Sequence, residues 1–228
     1  MKKMMRILGA VCLFVAALQA TAEQKDPCHY STEGKEFWFG FMQNRQKGNV
    51  HYLEITVTSR LGAQFTLAYG PNETPIGGTY AVGPNSSVTV PIDFSLVESM
   101  GSETIENKGI HLVSTNPVSV YAFNYRTQSS DVAVIYPTES LGREYFAMCY
   151  TPRQNNNNET NTEFLIVAAE NNTTVQITPT VDTDKQKKAN VMFTVKLNKG
   201  QSYQVQSMNQ IASGQGDLTG SYISSDKP

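Results

Sequence analysis

Short apolar runs separated by turn clusters fill this chain, and that rhythm limits it to strands. Residues 52–58 show it most clearly. Leu53, Ile55 and Val57 face one way and Glu54, Thr56 and Thr58 the other, which is the alternation of a half-buried strand. Similar runs lie at 64–68, 87–92, 110–114, 118–125, 132–136, 144–150, 164–168, 173–178, 191–197 and 202–206. Residues 36–42 are apolar on both faces, the pattern of a central sandwich strand. Glycine, proline and asparagine clusters at 70–72, 83–85 and 198–200 punctuate the series. No helical stripe exceeds two turns. Residues 138–142, with a capping Thr138 and a terminating Gly142, and residues 94–100 read as brief helical turns. The expected class is all-β and antiparallel.

The strand pattern also repeats. Residues 109–117 (GIHLVSTNP) read against 220–228 (GSYISSDKP), an offset of 111 (220 − 109). Ile55 and Val57 read against Ile166 and Ala168 at the same offset, and residues 87–90 against 202–205 at 115. This predicts two tandem, related β-sandwich-like units, residues 23–135 and 136–228. In the first, Pro117 leads into the apolar run 118–123. The second reaches Pro228 without such a run, so it is read as truncated at its C-terminus.

The first 22 residues read as a targeting segment. Lys2, Lys3 and Arg6 precede an apolar run at 7–18, too short for a membrane span. The small residues Ala20 and Ala22 then place signal cleavage between Ala22 and Glu23. The chain is thus expected to be secreted or displayed at the cell surface, with no membrane span in this segment. Cleavage would leave 15 Lys and Arg against 20 Asp and Glu. A dispersed acidic charge gives no footprint for nucleic acid. Two cysteines would remain, Cys28 and Cys149. An even pair in an oxidising compartment points to a disulfide. The alternative is two separate thiols, with Cys149 buried in a strand, because spacing does not fix the approach of the two Cα atoms.

No catalytic residues, cofactor site or metal site emerge. The histidines His29, His51 and His111 have no metal-ligand spacing, and no nucleophile elbow or zinc-protease motif occurs. Asp182 and Asp184 sit in a polar segment that lacks the remaining calcium-loop positions. They read as part of a hairpin loop spanning 182–188. Glu36, Glu54, Glu144 and Glu163 are accounted for by strand alternation. Two aromatic stripes stand out: Phe37, Phe39 and Phe41 with Trp38 opposite, and Tyr121, Phe123 and Tyr125. Period-two stripes in a β protein are read first as core between sheets; exposed, they would bind sugar or protein. The asparagine-rich stretch 154–161 reads as an exposed loop. Four sequons begin at Asn72, Asn85, Asn158 and Asn172. They would carry glycans only in a eukaryotic secretory pathway, and the bacterial-type start predicts them bare.

Three stretches resemble the N-terminal domain of the IgG Fc-binding protein family. They are residues 34–44 (GKEFWFGFMQN), residues 130–145 (SDVAVIYPTESLGREY), and residues 163–175 (EFLIVAAENNTTV) continuing to 218–228 (LTGSYISSDKP). Within the second, the Pro-x-x-x-Leu-Gly-x-Glu-Tyr pattern from Pro137 to Tyr145 is the most specific element. The resemblance implies an exported binding or adhesion module whose ligand is an extracellular protein or glycan, such as immunoglobulin Fc or a mucus component. It assigns no binding residues here. Two rival readings remain: a structural spacer repeat of a larger surface protein, and a carbohydrate-active enzyme, which would need two carboxylates in a cleft.

Overall fold

A strand with one apolar face folds by laying that face on another sheet, and the chain does this repeatedly. The computed structural model describes residues 31–44, 50–127, 129–150, 161–208 and 216–228. In chain order the elements are β1 (Glu33–Phe39), β2 (His51–Ser59), β3 (Ala63–Tyr69), β4 (Thr74–Val82), β5 (Ser86–Ile92), α1 (Phe94–Val97), β6 (Ile105–Glu106), β7 (Ile110–Arg126), β8 (Ser129–Ile135), a 3-10 turn at Thr138–Ser140, β9 (Glu144–Phe146), β10 (Glu163–Val167), β11 (Thr173–Thr178), β12 (Phe193–Leu197), β13 (Ser202–Gln206) and β14 (Tyr222–Ser225). Every ladder among these strands is antiparallel. The all-β class stands.

The long strand β7 organises the first seven-stranded sheet. Its first half pairs with both β3 and β1, and its second half with both β2 and β8. The sequence suggests two strands here, broken at Pro117. They are one strand, and Pro117 sits where the partners change, so its missing N–H falls between the β3 ladder and the β2 ladder. Side chains stitch the changeover. Asn116 Nδ2 donates to Gly62 O at 2.7 Å, and Thr115 Oγ1 accepts from Gln64 N at 3.0 Å. The inward side chains of both halves share one core, including Phe37, Phe39, Leu53, Ile55, Phe65, Leu112, Val118 and Val120.

A second core gathers Phe164, Val175, Ile177, Leu197, Val205, Leu218 and Ile223. It lies between a three-stranded sheet, β10-β13-β6, and a four-stranded sheet, β12-β11-β14-β9. The order β12-β11-β14-β9 repeats that of β4-β3-β7-β1 around the first half of β7. Likewise β10 pairs with β13 as β2 pairs with β5. Residues 31–228 nevertheless form one compact unit. Where three backbones meet, only glycines fit. Gly109 N donates to Gly200 O at 3.1 Å and Gly70 N to Gly109 O at 2.8 Å. Gly200 has φ +77°, and a Cβ there would lie 2.5 Å from the Gly70 backbone.

Three local expectations change. The 36–42 strand is not central: β1 ends at Phe39, and β7 is its partner strand among the described residues. Trp38 on its other face is covered by side chains rather than by a sheet. The strand expected at 144–150 stops at Phe146, leaving Met148 and Tyr150 exposed. Thr138 does not cap its turn; its hydroxyl donates to Glu36 O at 3.1 Å, and Pro137 occupies the cap position. The expected turn at 94–100 is α1, capped by Asp93, whose carboxylate accepts from Ser95 N at 2.9 Å.

Candidate ligand-binding face

Strand alternation puts Val118, Val120 and Ala122 of β7 into the first core, so Tyr121, Phe123 and Tyr125 must point the other way. The sequence favours this stripe as core; it is instead the outer face of the sheet, and the correction follows from that alternation. Neighbouring strands extend it. Register places Tyr52 opposite Tyr125, Val132 opposite Phe123 and Val134 opposite Tyr121. The Tyr52 and Tyr125 rings stack with centroids 4.6 Å apart, and Phe123 lies 6.0 Å from Tyr52 and 6.2 Å from Tyr125. Val132 is 61% exposed and Val134 44%. Thr56 and Thr89 continue the face, their hydroxyls 2.9 Å apart. A cluster of rings and valines with hydroxyls beside it offers apolar area and hydrogen-bonding groups together, the composition of protein and sugar contact surfaces.

The other aromatic stripe behaves as expected. Phe37, Phe39 and Phe41 are 0%, 6% and 3% exposed and belong to the first core. Opposite them, Trp38 stacks on His111 at 4.0 Å with the ring planes 9° apart. His111 lies between Glu36 at 3.1 Å and Glu73 at 3.3 Å, and Lys199 reaches both Glu73 and the Trp38 ring. The Lys199 ammonium holds the Glu73 carboxyl below its ordinary range. This cluster ties β1, β7, the β3–β4 turn and the β12–β13 turn together.

A buried polar junction lies behind one end of the aromatic face, on the inner side of β2 and β7, where His51 and Arg126 alternate with Tyr52 and Tyr125. Glu98, after α1, is 2% exposed. Its carboxylate lies 3.4 Å from His51 Nε2 and 3.7 Å from Arg126, and accepts from Asn44 N at 2.9 Å. Burial pushes the His51 imidazole below its usual value, against the pull of Glu98. Nearby, Gln206 Nε2 donates to Glu163 at 2.7 Å, Gln204 Nε2 donates to Gly101 O at 2.7 Å, and Gln43 Oε1 accepts from Gly101 N at 2.6 Å. Burial pushes the Glu163 carboxyl up to about 7. Glu163 is therefore more than a solvent-facing strand residue. No local pattern marks this junction, whose members are spread from residue 43 to residue 206.

Of the residues singled out earlier, Ala22, Glu23 and Cys28 lie outside the described residues, as do 154–160 of the asparagine-rich stretch. Cys149 packs against the second core, its thiol donating to Glu163 O at 3.3 Å, and burial raises it to about 11. Asp182 lies in the loop between β11 and β12, where its carboxylate accepts from Lys188 Nζ and Ala189 N, both at 2.8 Å. Asp184 lies in the same loop and pairs with Lys185 at 3.6 Å. Among the described residues, no three His, Cys, Asp or Glu side chains gather as a metal site, and no helix is long and apolar enough to cross a membrane.

Residues 131–228 match the family described as IgGFc binding protein. The resemblance is shown over that segment, which begins within β8 beside the aromatic face and contains the whole second core. No curated protein matches the chain. Among solved structures, a crystal structure of Thermotoga maritima 1070 aligns at a TM-score of 0.33 and 14% identity, over 45% of this chain and 93% of that one. A cryo-EM structure of T=1 Penaeus vannamei nodavirus aligns at 0.20 and 10%, over 85% and 81%. Neither likeness is close enough to carry an argument.

Proposed function

We propose that this chain is an extracellular or cell-surface binding module that engages a protein or glycoprotein with the outer face of β2, β7 and β8. One observation carries the reading: the Tyr52, Phe123 and Tyr125 rings, with Val132 and Val134, stand outside a sheet whose core is already filled by Val118, Val120 and Ala122. Apolar clusters on an outer face mark contact surfaces, and aromatic anchors dominate binding energy there. The family description makes immunoglobulin Fc the first ligand to try, with mucin as the glycan-bearing alternative. The leader read in the sequence supports export. On this reading the chain binds and does not catalyse.

The test is retention of the protein on immobilised IgG Fc and on mucin, beside a Tyr52→Ala/Tyr125→Ala double variant. We expect the variant to lose about tenfold in affinity for whichever ligand is held, with its circular dichroism unchanged. Equal affinity of the variant would remove the face from the reading. Retention on neither ligand would remove both ligand classes.

A second reading, a spacer repeat in a larger surface protein, is favoured by the matching strand orders β4-β3-β7-β1 and β12-β11-β14-β9. Repeats of one supersecondary plan are how spacers are built. A force-extension trace of the chain showing two equal unfolding steps would support it.

A further inference from the structure

The outer face that carries the aromatic rings changes its chemistry toward the start of β1. Register places Thr56 and Thr89 in the row of Tyr121. It places Glu33, Thr58 and Ser87 in the row of Ser119, about 7 Å further along β7. Here the sheet ends in a cleft of about 350 Å³, at the small end of ligand sites. Two turns build its walls. The β2–β3 turn supplies Arg60 and the β4–β5 turn supplies Asn85, whose N–H donates to Arg60 O at 3.3 Å. Asn116 of β7 holds the first turn through Gly62 O. The walls are thus fixed before any ligand arrives, which lowers the cost of binding one.

No hydrophobic residue lines the cleft. Arg60 Nε and Nη2 donate to Glu33 Oε1 and Oε2 at 2.9 and 2.8 Å. Arg60 holds the Glu33 carboxyl below its ordinary range, so both ions are formed at neutral pH and cancel each other. An anion would have to displace Glu33, and a cation Arg60. What the cleft offers instead is hydrogen bonding of both kinds. The guanidinium keeps N–H groups that Glu33 does not use, the carboxylate keeps lone pairs, and the Thr58, Ser86 and Ser87 hydroxyls both donate and accept. Ser59 Oγ, at the same place, is buried without a hydrogen-bond partner among the described residues. The complement is a compact, uncharged molecule rimmed with donors and acceptors. A sugar ring has that make-up, whereas a peptide side chain would ask for an apolar wall. We propose that the cleft is a saccharide subsite, taking one neutral sugar unit of a glycan carried by the partner that engages the rings. The link to a glycan-bearing partner rests on the reading of the aromatic face. The cleft shares no residue with the rings, so the two can fail separately.

The probes are glucose, galactose, mannose and N-acetylglucosamine, added singly to the isotope-labelled full chain and followed by NMR. Inorganic phosphate and N-acetylneuraminic acid serve as charged controls. At least one neutral sugar is expected to shift the Arg60, Asn85, Ser86 and Ser87 amides saturably, with a dissociation constant of about 1 mM. The controls are expected to leave them in place. Arg60 is 75% exposed, so Arg60→Ala keeps the fold; it is expected to weaken the sugar about tenfold with the rest of the spectrum unchanged. Thr58→Val, which removes one hydroxyl at similar volume, should weaken it about fivefold. The Tyr52→Ala/Tyr125→Ala variant should keep the shifts. No saturable shift with any of the neutral sugars overturns the proposal, and so does unchanged affinity in Arg60→Ala. Stronger shifts with phosphate or the acidic sugar also overturn it, since the cleft would then be an anion site. If a neutral sugar binds while neither Fc nor mucin is retained, the subsite stands and the reading of the rings falls.

Discussion

Two stripes of three aromatic residues occur at the same spacing on two strands paired with each other, and they meet opposite fates. Phe37 and Phe39 of β1, followed by Phe41, fill the first core. Tyr121, Phe123 and Tyr125 of β7 stay outside it. The residues between them decide this. Around the phenylalanines the alternate positions are Glu36, Trp38 and Gly40, two of which cannot fill an apolar core without a partner for a charge or with no side chain at all. Around the tyrosines they are Val120 and Ala122, compact aliphatic groups that pack at little entropic cost, and Asn124, whose amide is bonded to Asn44 and Met42 O. When both faces of a strand are apolar, the side with polar handles goes outward, since a phenolic hydroxyl in the core needs a partner.

The widest gap should appear in stability. Phe37→Ala is expected to cost about 3–5 kcal/mol in a denaturant titration, because it empties space at a fully buried position. A loss under about 1 kcal/mol would mean that the inner stripe is not core, and the comparison would collapse.

The chain leads from both stripes into the polar junction, past Phe41 to Gln43 and past Tyr125 to Arg126, and the junction should respond to pH. Folding raises the Glu163 carboxyl from 4.5 to about 7. The folded state therefore keeps a proton that the unfolded state gives up. This contribution is fully present below about pH 4.5, declines as pH rises, and is gone above about 7, a change of about 3 kcal/mol. Glu163→Gln keeps an acceptor for Gln206 and is expected to flatten the profile between pH 4.5 and 7 in urea melts at stepped pH. An unchanged slope would assign the pH dependence to another group.

The strands were legible because alternation is local, and residues 173–178 and 202–206 match β11 and β13 end to end. Strand β4 was not, since Pro75, Gly77 and Gly78 interrupt its pattern, and only pairing with β3 carries it through. Pro117 misled in the opposite direction: it reads as a break, yet the strand continues because Ser114, Thr115 and Asn116 supply side-chain bonds around it. The outer stripe was visible as a stripe but not as outer, because an apolar strand read alone has no inside. Its orientation needed β2 and β8 beside it. The junction was invisible because Glu98, Arg126 and Glu163 become neighbours only in the folded chain.

On the outer stripe the same truncation should be mild. Phe123→Ala removes one ring from an open cluster and its contact with Val132, an effect of about 1 kcal/mol. Its larger consequence is expected in retention on the ligand, so the ratio of binding loss to stability loss should invert between Phe37 and Phe123. A Phe123→Ala cost near that of Phe37→Ala would show that the ring cluster is structural.

The smallest effect gives the sharpest test of which way the face points. Val132 lies opposite Phe123 and is 61% exposed, so Val132→Lys leaves its ammonium in water while the alkyl stem still lies along the rings. Surface substitutions of this kind fall within about 0.5 kcal/mol. The same change at Val120, one strand away and on the other face, would place a charge in the first core and is expected to unfold the chain. Two lysines that differ in the face of the sheet that carries them should thus separate a folded protein from an unfolded one. If Val132→Lys cost more than about 2 kcal/mol in the same titration, something would have to cover that face in the free protein, and its rings could not be the binding surface.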